Sequence, residues 1–292
     1  MKKASSIIIV LVLLLIVSCT KPATLKEVPE SKASLARGTE INYKAWGEGE
    51  KAIVFVHGFG CDLYAWEKQF EAFREDGGLK LVFIDLPGYG RSSKPHTNYD
   101  LHFFAEAVRA VVQKEHVENP VLVGHSLGTP VCRQYCLEHP EEVAGLCDVD
   151  GVYCFYDNAT DEYLAALEEF AGMFVGEGCR DNIAAFVTSL AGPRTAEEIT
   201  SYAMSVMPET EEYVARSTMA NLIERKWWTG ETISVPSYVI CTQNSGLDPD
   251  NKEKMEALYP NMTYVELTDC GHFIQMEDED VVGQALRSLL GR

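Results

Sequence analysis

An apolar run at Val121-Leu122-Val123 passes straight into Gly124-His125-Ser126-Leu127-Gly128, and Thr129 to Leu137 then has helical character. Gly-x-Ser-x-Gly between a strand and a helix forces a sharp turn in which the serine hydroxyl projects from the sheet edge, and the glycines let backbone segments approach closely. Ser126 is therefore the candidate nucleophile, and the rest of the chain has to supply a base, an acid and oxyanion donors.

Strand and helix patterns alternate on both sides of this turn. Short apolar runs at Ala52 to Val56, Leu79 to Ile84, Val143 to Val149, Pro236 to Thr242 and Thr263 to Leu267 read as buried strands, with a weaker early strand at Thr39 to Trp46. Between them lie helical stretches at Asp62 to Glu75, Tyr99 to His116, Asn251 to Leu258 and Glu279 to Leu290. This order implies an α/β fold with a doubly wound, mostly parallel sheet. From Tyr153 to Glu231 the strand pattern stops. Helical stretches fill the gap, with a capping-box signature at Thr195-x-x-Glu198, so a helical cap is expected after the sixth strand.

The predicted core is 38–152 together with 233–292, and the predicted cap is 153–232. Ahead of them, Lys2 and Lys3, the apolar run Ile7 to Val17, and Ile16-Val17-Ser18-Cys19 follow one another. That order reads as a signal segment over 1–18, and it resembles the bacterial lipoprotein signal, in which the cysteine, here Cys19, is lipidated. Residues 19–37 are polar with Pro22 and Pro29 and are expected to form a flexible tether. The resemblance implies a bacterial cell-envelope location, lipid-anchored on the extracytoplasmic side.

Charge narrows the partners. Twenty-five basic against forty-four acidic residues give a net charge of −19, which disfavours nucleic-acid backbones. Apart from Cys19 there are eight cysteines without a paired Cys-x-x-Cys spacing, and no metal site is expected. Most of them read as small buried apolar residues, while Cys154 and Cys179 could pair within the cap.

Four ordered segments, His57-Gly58-Phe59-Gly60, Asp85-Leu86-Pro87-Gly88-Tyr89-Gly90-Arg91-Ser92, Gly124 to Gly128 and Gly271-His272-Phe273, resemble the α/β-hydrolase fold family in its capped branch. The resemblance implies that His272, late in the chain, is the base, and that the backbone N–H groups of Phe59 and Leu127 form the oxyanion hole. His57 and His125 then serve the turns structurally. The family's usual acid position falls here on Ser245, which leaves two alternatives: Asp150, at the end of the sixth strand, and Asp248, three residues late. Position favours Asp150.

Apolar cap residues, above all Trp227, Trp228 and Phe155, are expected to line the substrate pocket. The expected activity is cofactor-free hydrolysis of a small or medium hydrophobic ester through an acyl-enzyme. Thioester, amide, lactone or carbon–carbon cleavage would use the same groups. A binding lipoprotein on an inactive scaffold is the reading from another class.

Overall fold

The computed structural model describes residues 23–35, 38–157, 159–243 and 251–292. Eight strands form one sheet: β1 (Glu30–Leu35), β2 (Thr39–Trp46), β3 (Lys51–Val56), β4 (Leu79–Ile84), β5 (Val121–His125), β6 (Gly145–Val149), β7 (Ser237–Thr242) and β8 (Met262–Leu267). Their spatial order is β1-β2-β4-β3-β5-β6-β7-β8, with β1 and β2 antiparallel to their neighbours and the rest parallel. The central strands are apolar throughout because helices cover both faces: β3 is buried from Ala52 to Val56 and β5 along its whole length. The core helices are α1 (Glu67–Phe73), α2 (Leu101–Lys114), α3 (Gly128–Glu138), α8 (Asn251–Leu258), α9 (Ile274–Glu277) and α10 (Glu279–Leu289).

From β3 the chain steps outward to β4, then returns across β3 to β5 and continues the other way. Loops leaving the carboxyl ends of β3 and β5 therefore diverge and open a crevice, which is where an open α/β sheet places ligands. The segments beginning at His57 and Ser126 both leave the sheet there.

Between β6 and β7 the described chain contains α4 (Asp161–Gly172), α5 (Cys179–Ser189), α6 (Glu197–Val206) and α7 (Glu212–Leu222) and no strand. The expected cap is thus helical. Its capping box is not formed: α6 is capped by Ala196 without a side-chain bond, and Thr195 Oγ1 accepts from Gly192 N–H at 2.8 Å instead. Thr195 stabilises the loop before the helix and leaves the helix end to solvent.

The expected tether needs a larger correction. Leu25 and Val28 are fully buried, and β1 pairs with β2 from Glu30↔Lys44 to Leu35↔Thr39. Buried Lys44 donates through Nζ to the carbonyls of Leu25 (3.0 Å), Lys26 (3.2 Å) and Val28 (2.6 Å). An edge strand needs only backbone pairing and one inward side chain, here Ala33, so its polar sequence does not betray it. The eight cysteines from Cys61 to Cys270 are all buried free thiols, Cys154 and Cys179 among them.

Candidate active site

Ser126 adopts φ +52°, left-handed for a residue with a side chain, at the junction of β5 and α3. Such a backbone costs about 1–3 kcal/mol and persists only where its surroundings fix it. Here Ser126 N–H donates to Val149 O (3.1 Å), and Ser126 O accepts from Thr129 N–H (3.0 Å). The turn also needs tight packing against β3: a Cβ at Gly128 would fall 2.2 Å from Val56 O, and one at Gly58 would fall 2.9 Å from Ser126 Cβ. Ser126 is 8% exposed.

Asp150 repeats the device one strand over, with φ +45° directly after β6. Its N–H donates to Ile240 O (2.7 Å), and its Oδ1 accepts from Thr242 N–H (3.0 Å). Its Oδ2 lies 2.6 Å from His272 Nδ1, with Asp150 1% and His272 12% exposed at the side chain. A carboxylate can only accept, so the proton of this bond sits on Nδ1, and Nε2 carries the lone pair. Asp248 lies outside the described residues.

The loop carrying His272 is held from three sides. Thr242 Oγ1 donates to Cys270 O (2.6 Å), Gly271 N–H donates to Glu277 Oε2 (2.6 Å), and His272 N–H donates to Leu190 O of the cap (2.9 Å). His272 O in turn meets His125 Nε2 at 2.9 Å. Burial, reinforced by the neighbouring His272, pushes the His125 imidazole well below its usual range, so His125 is a neutral donor to that carbonyl. His57 is likewise fully buried and held low by burial. Its Nε2 accepts from Leu86 N–H (3.0 Å) and its Nδ1 meets Gly58 O (2.7 Å). Both histidines fix turns, in keeping with the structural roles expected of them.

Of the expected oxyanion donors, Leu127 directly follows the serine, and Phe59 follows Gly58, whose added Cβ would fall 2.9 Å from Ser126 Cβ. Neither Phe59 N–H nor Leu127 N–H donates to a group among the described residues, whereas the following Cys61 N–H and Thr129 N–H are both used. No hydrogen bond joins Ser126 Oγ to His272 Nε2 among the described residues, a contact that in unliganded sites is often long.

Cap residues other than the expected trio reach this place. Phe174 is fully buried, with its ring 5.2 Å from that of Phe59, and it packs in turn on Phe170 and Phe186. Met207 packs on Gly60, and Leu190 and Gly192 lie against the His272 loop. The phenylalanines and Met207 carried a signal in the sequence, as apolar residues beyond what the short cap helices need for packing, whereas Leu190 and Gly192 carried none. By contrast, Phe155 and Trp228 line a cavity whose walls include neither Ser126 nor His272, and Trp227 presents its carbonyl to Arg133. Phe155 and Trp228 of the expected substrate-pocket trio thus line a cavity apart from the serine.

Comparison with known proteins agrees with this layout. The stretch 51–279 matches the family model described as the alpha/beta hydrolase fold. The chain is 34% identical over 103 residues to a putative non-heme chloroperoxidase of a Synechocystis species, covering 35% of this chain and 37% of that protein. It is 32% identical over 124 residues to a pimeloyl-[acyl-carrier protein] methyl ester esterase of Yersinia enterocolitica, covering 42% and 45%. The matched stretch thus spans less than half the length of these curated relatives. Among solved structures, an esterase from Exiguobacterium antarcticum superposes with a TM-score of 0.78 at 18% identity, over 90% of this chain and 100% of that one. With a family model covering most of its length, the chain belongs to the α/β-hydrolase fold family.

Proposed function

We propose that this protein is a serine hydrolase that cleaves a small or medium hydrophobic carboxylic ester through an acyl-enzyme. The observation that carries the reading is the 2.6 Å bond between Asp150 Oδ2 and His272 Nδ1, buried beside a serine held at φ +52°. In this mechanism His272 Nε2 takes the proton of Ser126 Oγ as the hydroxyl attacks the ester carbonyl. Asp150 keeps the imidazole in the tautomer that can do so and stabilises the imidazolium that forms. The N–H groups of Phe59 and Leu127 receive the oxyanion, each worth roughly 3 to 4 kcal/mol in the transition state. The same imidazolium then protonates the leaving alkoxide, and a second cycle with water as nucleophile releases the carboxylate.

Phe59 and Phe174 form the apolar surface next to these donors, which favours an acyl group without charge. The methyl ester esterase among the relatives supports ester over other acyl bonds. The lipoprotein reading of Cys19 belongs to the same proposal and would place this chemistry at an extracytoplasmic membrane surface of a bacterium.

Fluorophosphonate labelling with an ester chain-length series tests the reading. Wild type should label at Ser126, and Ser126→Ala should neither label nor turn over. Asp150→Asn should remain folded and lose about four orders of magnitude in kcat, as expected when the base is held in the wrong tautomer. Undiminished activity in Ser126→Ala, or a folded Asp150→Asn at wild-type rate, would overturn it.

A further inference from the structure

Four side chains with metal-ligand chemistry meet where the C-terminal end of α3 lies against α2. Glu138 is the last residue of α3, and His139, at φ −138° and ψ 57°, turns the chain out of the helix into Pro140. On α2, His102 and Glu106 are four residues apart and share one flank of the helix. His102 Nδ1 lies 2.8 Å from Glu138 Oε1, and His139 Nε2 lies 3.2 Å from Glu106 Oε1. One ligand atom from each of Glu106, Glu138 and His139 lies within 4.8 Å of the other two. The cluster is remote from the serine turn, since α3 rises about 15 Å from its first residue to Glu138.

The local charge favours a cation. Among the described residues neither Glu106 nor Glu138 forms an ion pair with a lysine or arginine, and each is paired with one of the two histidines. A neutral imidazole gives its carboxylate a single hydrogen bond, so two anions stay close together with little compensation. Arg109, near enough to feel Glu106, spends Nε and Nη2 on Glu142 at 3.1 and 2.8 Å. Glu142 also accepts from Tyr135 Oη (2.9 Å), so of the carboxylates around His139 it is the committed one. Gln134 Nε2 donates to Glu138 Oε1 (2.7 Å) and steadies that carboxylate.

Two imidazole nitrogens and two carboxylate oxygens suit a borderline divalent ion. Zn²⁺ takes them tetrahedrally at about 2.0–2.2 Å, which puts neighbouring ligand atoms about 3.3 Å apart. Both histidine–carboxylate pairs are already near that separation, and an entering ion replaces the proton shared within each. His102 lies outside the mutual reach of the other three, but its side chain is 59% exposed and can rotate onto the ion without moving the backbone.

We propose that His102, Glu106, Glu138 and His139 form a structural site for a divalent transition-metal ion such as Zn²⁺. The ion clips the far end of α3, the helix that follows the serine turn, to α2. Each helix contributes one histidine and one carboxylate, so neither carries a metal-site spacing of its own.

Zn²⁺ calorimetry and thermal melts on the full chain test the proposal. Wild type should take up one Zn²⁺ that a His102→Ala/His139→Ala double variant does not. Glu138→Gln and His102→Ala should each weaken binding by about tenfold or more, and the exposure of His102 keeps its alanine variant folded. Glu141→Gln, outside the set, should bind as wild type. Ca²⁺ and Mg²⁺, which prefer all-oxygen shells, should not displace the ion at about a hundredfold excess. With free Zn²⁺ about a hundredfold above Kd, wild type should melt about 5 °C higher, and the double variant should not shift. The proposal falls if wild type takes up no Zn²⁺, or if the double variant, folded by circular dichroism, binds as tightly as wild type because the ion sits on His272 or a thiol. It falls equally if His102→Ala binds as wild type, if Glu141→Gln instead of Glu138→Gln removes the ion, or if Ca²⁺ competes on equal terms.

Discussion

Asp148 and Asp150 are two residues apart on one strand end and are treated in opposite ways. Asp150 has every oxygen committed, to Thr242 N–H and His272 Nδ1, so its buried carboxylate is oriented for one task. Asp148 accepts from Tyr153, leaves Oδ1 without a partner, and is pushed by burial from 3.8 to about 7. In the unfolded chain Asp148 ionises freely near 3.8, whereas the folded protein resists ionisation until about 7. The unfolded state therefore binds fewer protons across that window, and the Asp148 contribution to stability falls as pH rises through it. The loss is on the order of a few kcal/mol by neutral pH and stays constant above. Asp148→Asn cannot ionise. Thermal melts from pH 4 to 8 should show wild type losing stability relative to Asp148→Asn as pH rises, with the gap constant above about 7. Parallel curves would show that Asp148 does not titrate in this range.

At the scale of elements, the loop after β8 that carries His272 depends on the cap as much as on the sheet. Leu190 O receives His272 N–H, and Arg194 N–H donates to Asp269 O at 3.2 Å, so the segment between α5 and α6 runs beside the 269–272 loop like an added strand. Gly192 makes this approach possible: a Cβ there would fall 2.4 Å from Gly271 N and 2.6 Å from Cys270 O. Gly192→Ala should force the two segments apart and tilt His272. Because displacements near 1 Å can cost about a hundredfold in rate, kcat should drop by that order while the protein stays folded, checked by ester turnover beside circular dichroism. Wild-type kcat in a folded variant would show that the cap does not position the base. The sequence carried the sheet, the serine turn and the late histidine because each has a local signature: an apolar run, paired glycines, a strand end. The Gly192 contact has none, since Ala191-Gly192-Pro193 marks only a break between helices. The acid stayed open between Asp150 and Asp248 for the same reason. Which carboxylate faces His272 depends on strand order and on Thr242, neither of which is written locally.

For the molecule as a whole, the segment before β2 packs onto the sheet edge and would set how the body sits if Cys19 carries a lipid. No helix among the described residues is long and apolar enough to cross a membrane. In the proposed mature protein the lipid on Cys19 precedes docked Leu25 by six residues, which span at most about 20 Å when extended. The β1–β2 edge would then sit close to the bilayer instead of swinging on a tether. Docking rests on two buried apolar side chains, Leu25 and Val28, on Leu25 N–H donating to Glu67 Oε1 (2.8 Å), and on the three carbonyls around Lys44 Nζ. Removing the segment exposes Lys44, whose ammonium can rehydrate, and leaves β2 without its β1 partner. Burying the two side chains is worth about 3 to 6 kcal/mol as an upper bound. A chain starting at residue 23 should therefore melt with the full mature protein, whereas one starting at residue 38 should melt at least about 5 °C lower. In the native host, Cys19→Ser should leave the membrane fraction while keeping the full melting temperature, since the lipid and the docked strand act separately. Equal melting of the two truncated chains would return residues 23–35 to the role of a tether, and membrane retention of Cys19→Ser would remove the lipid from the account.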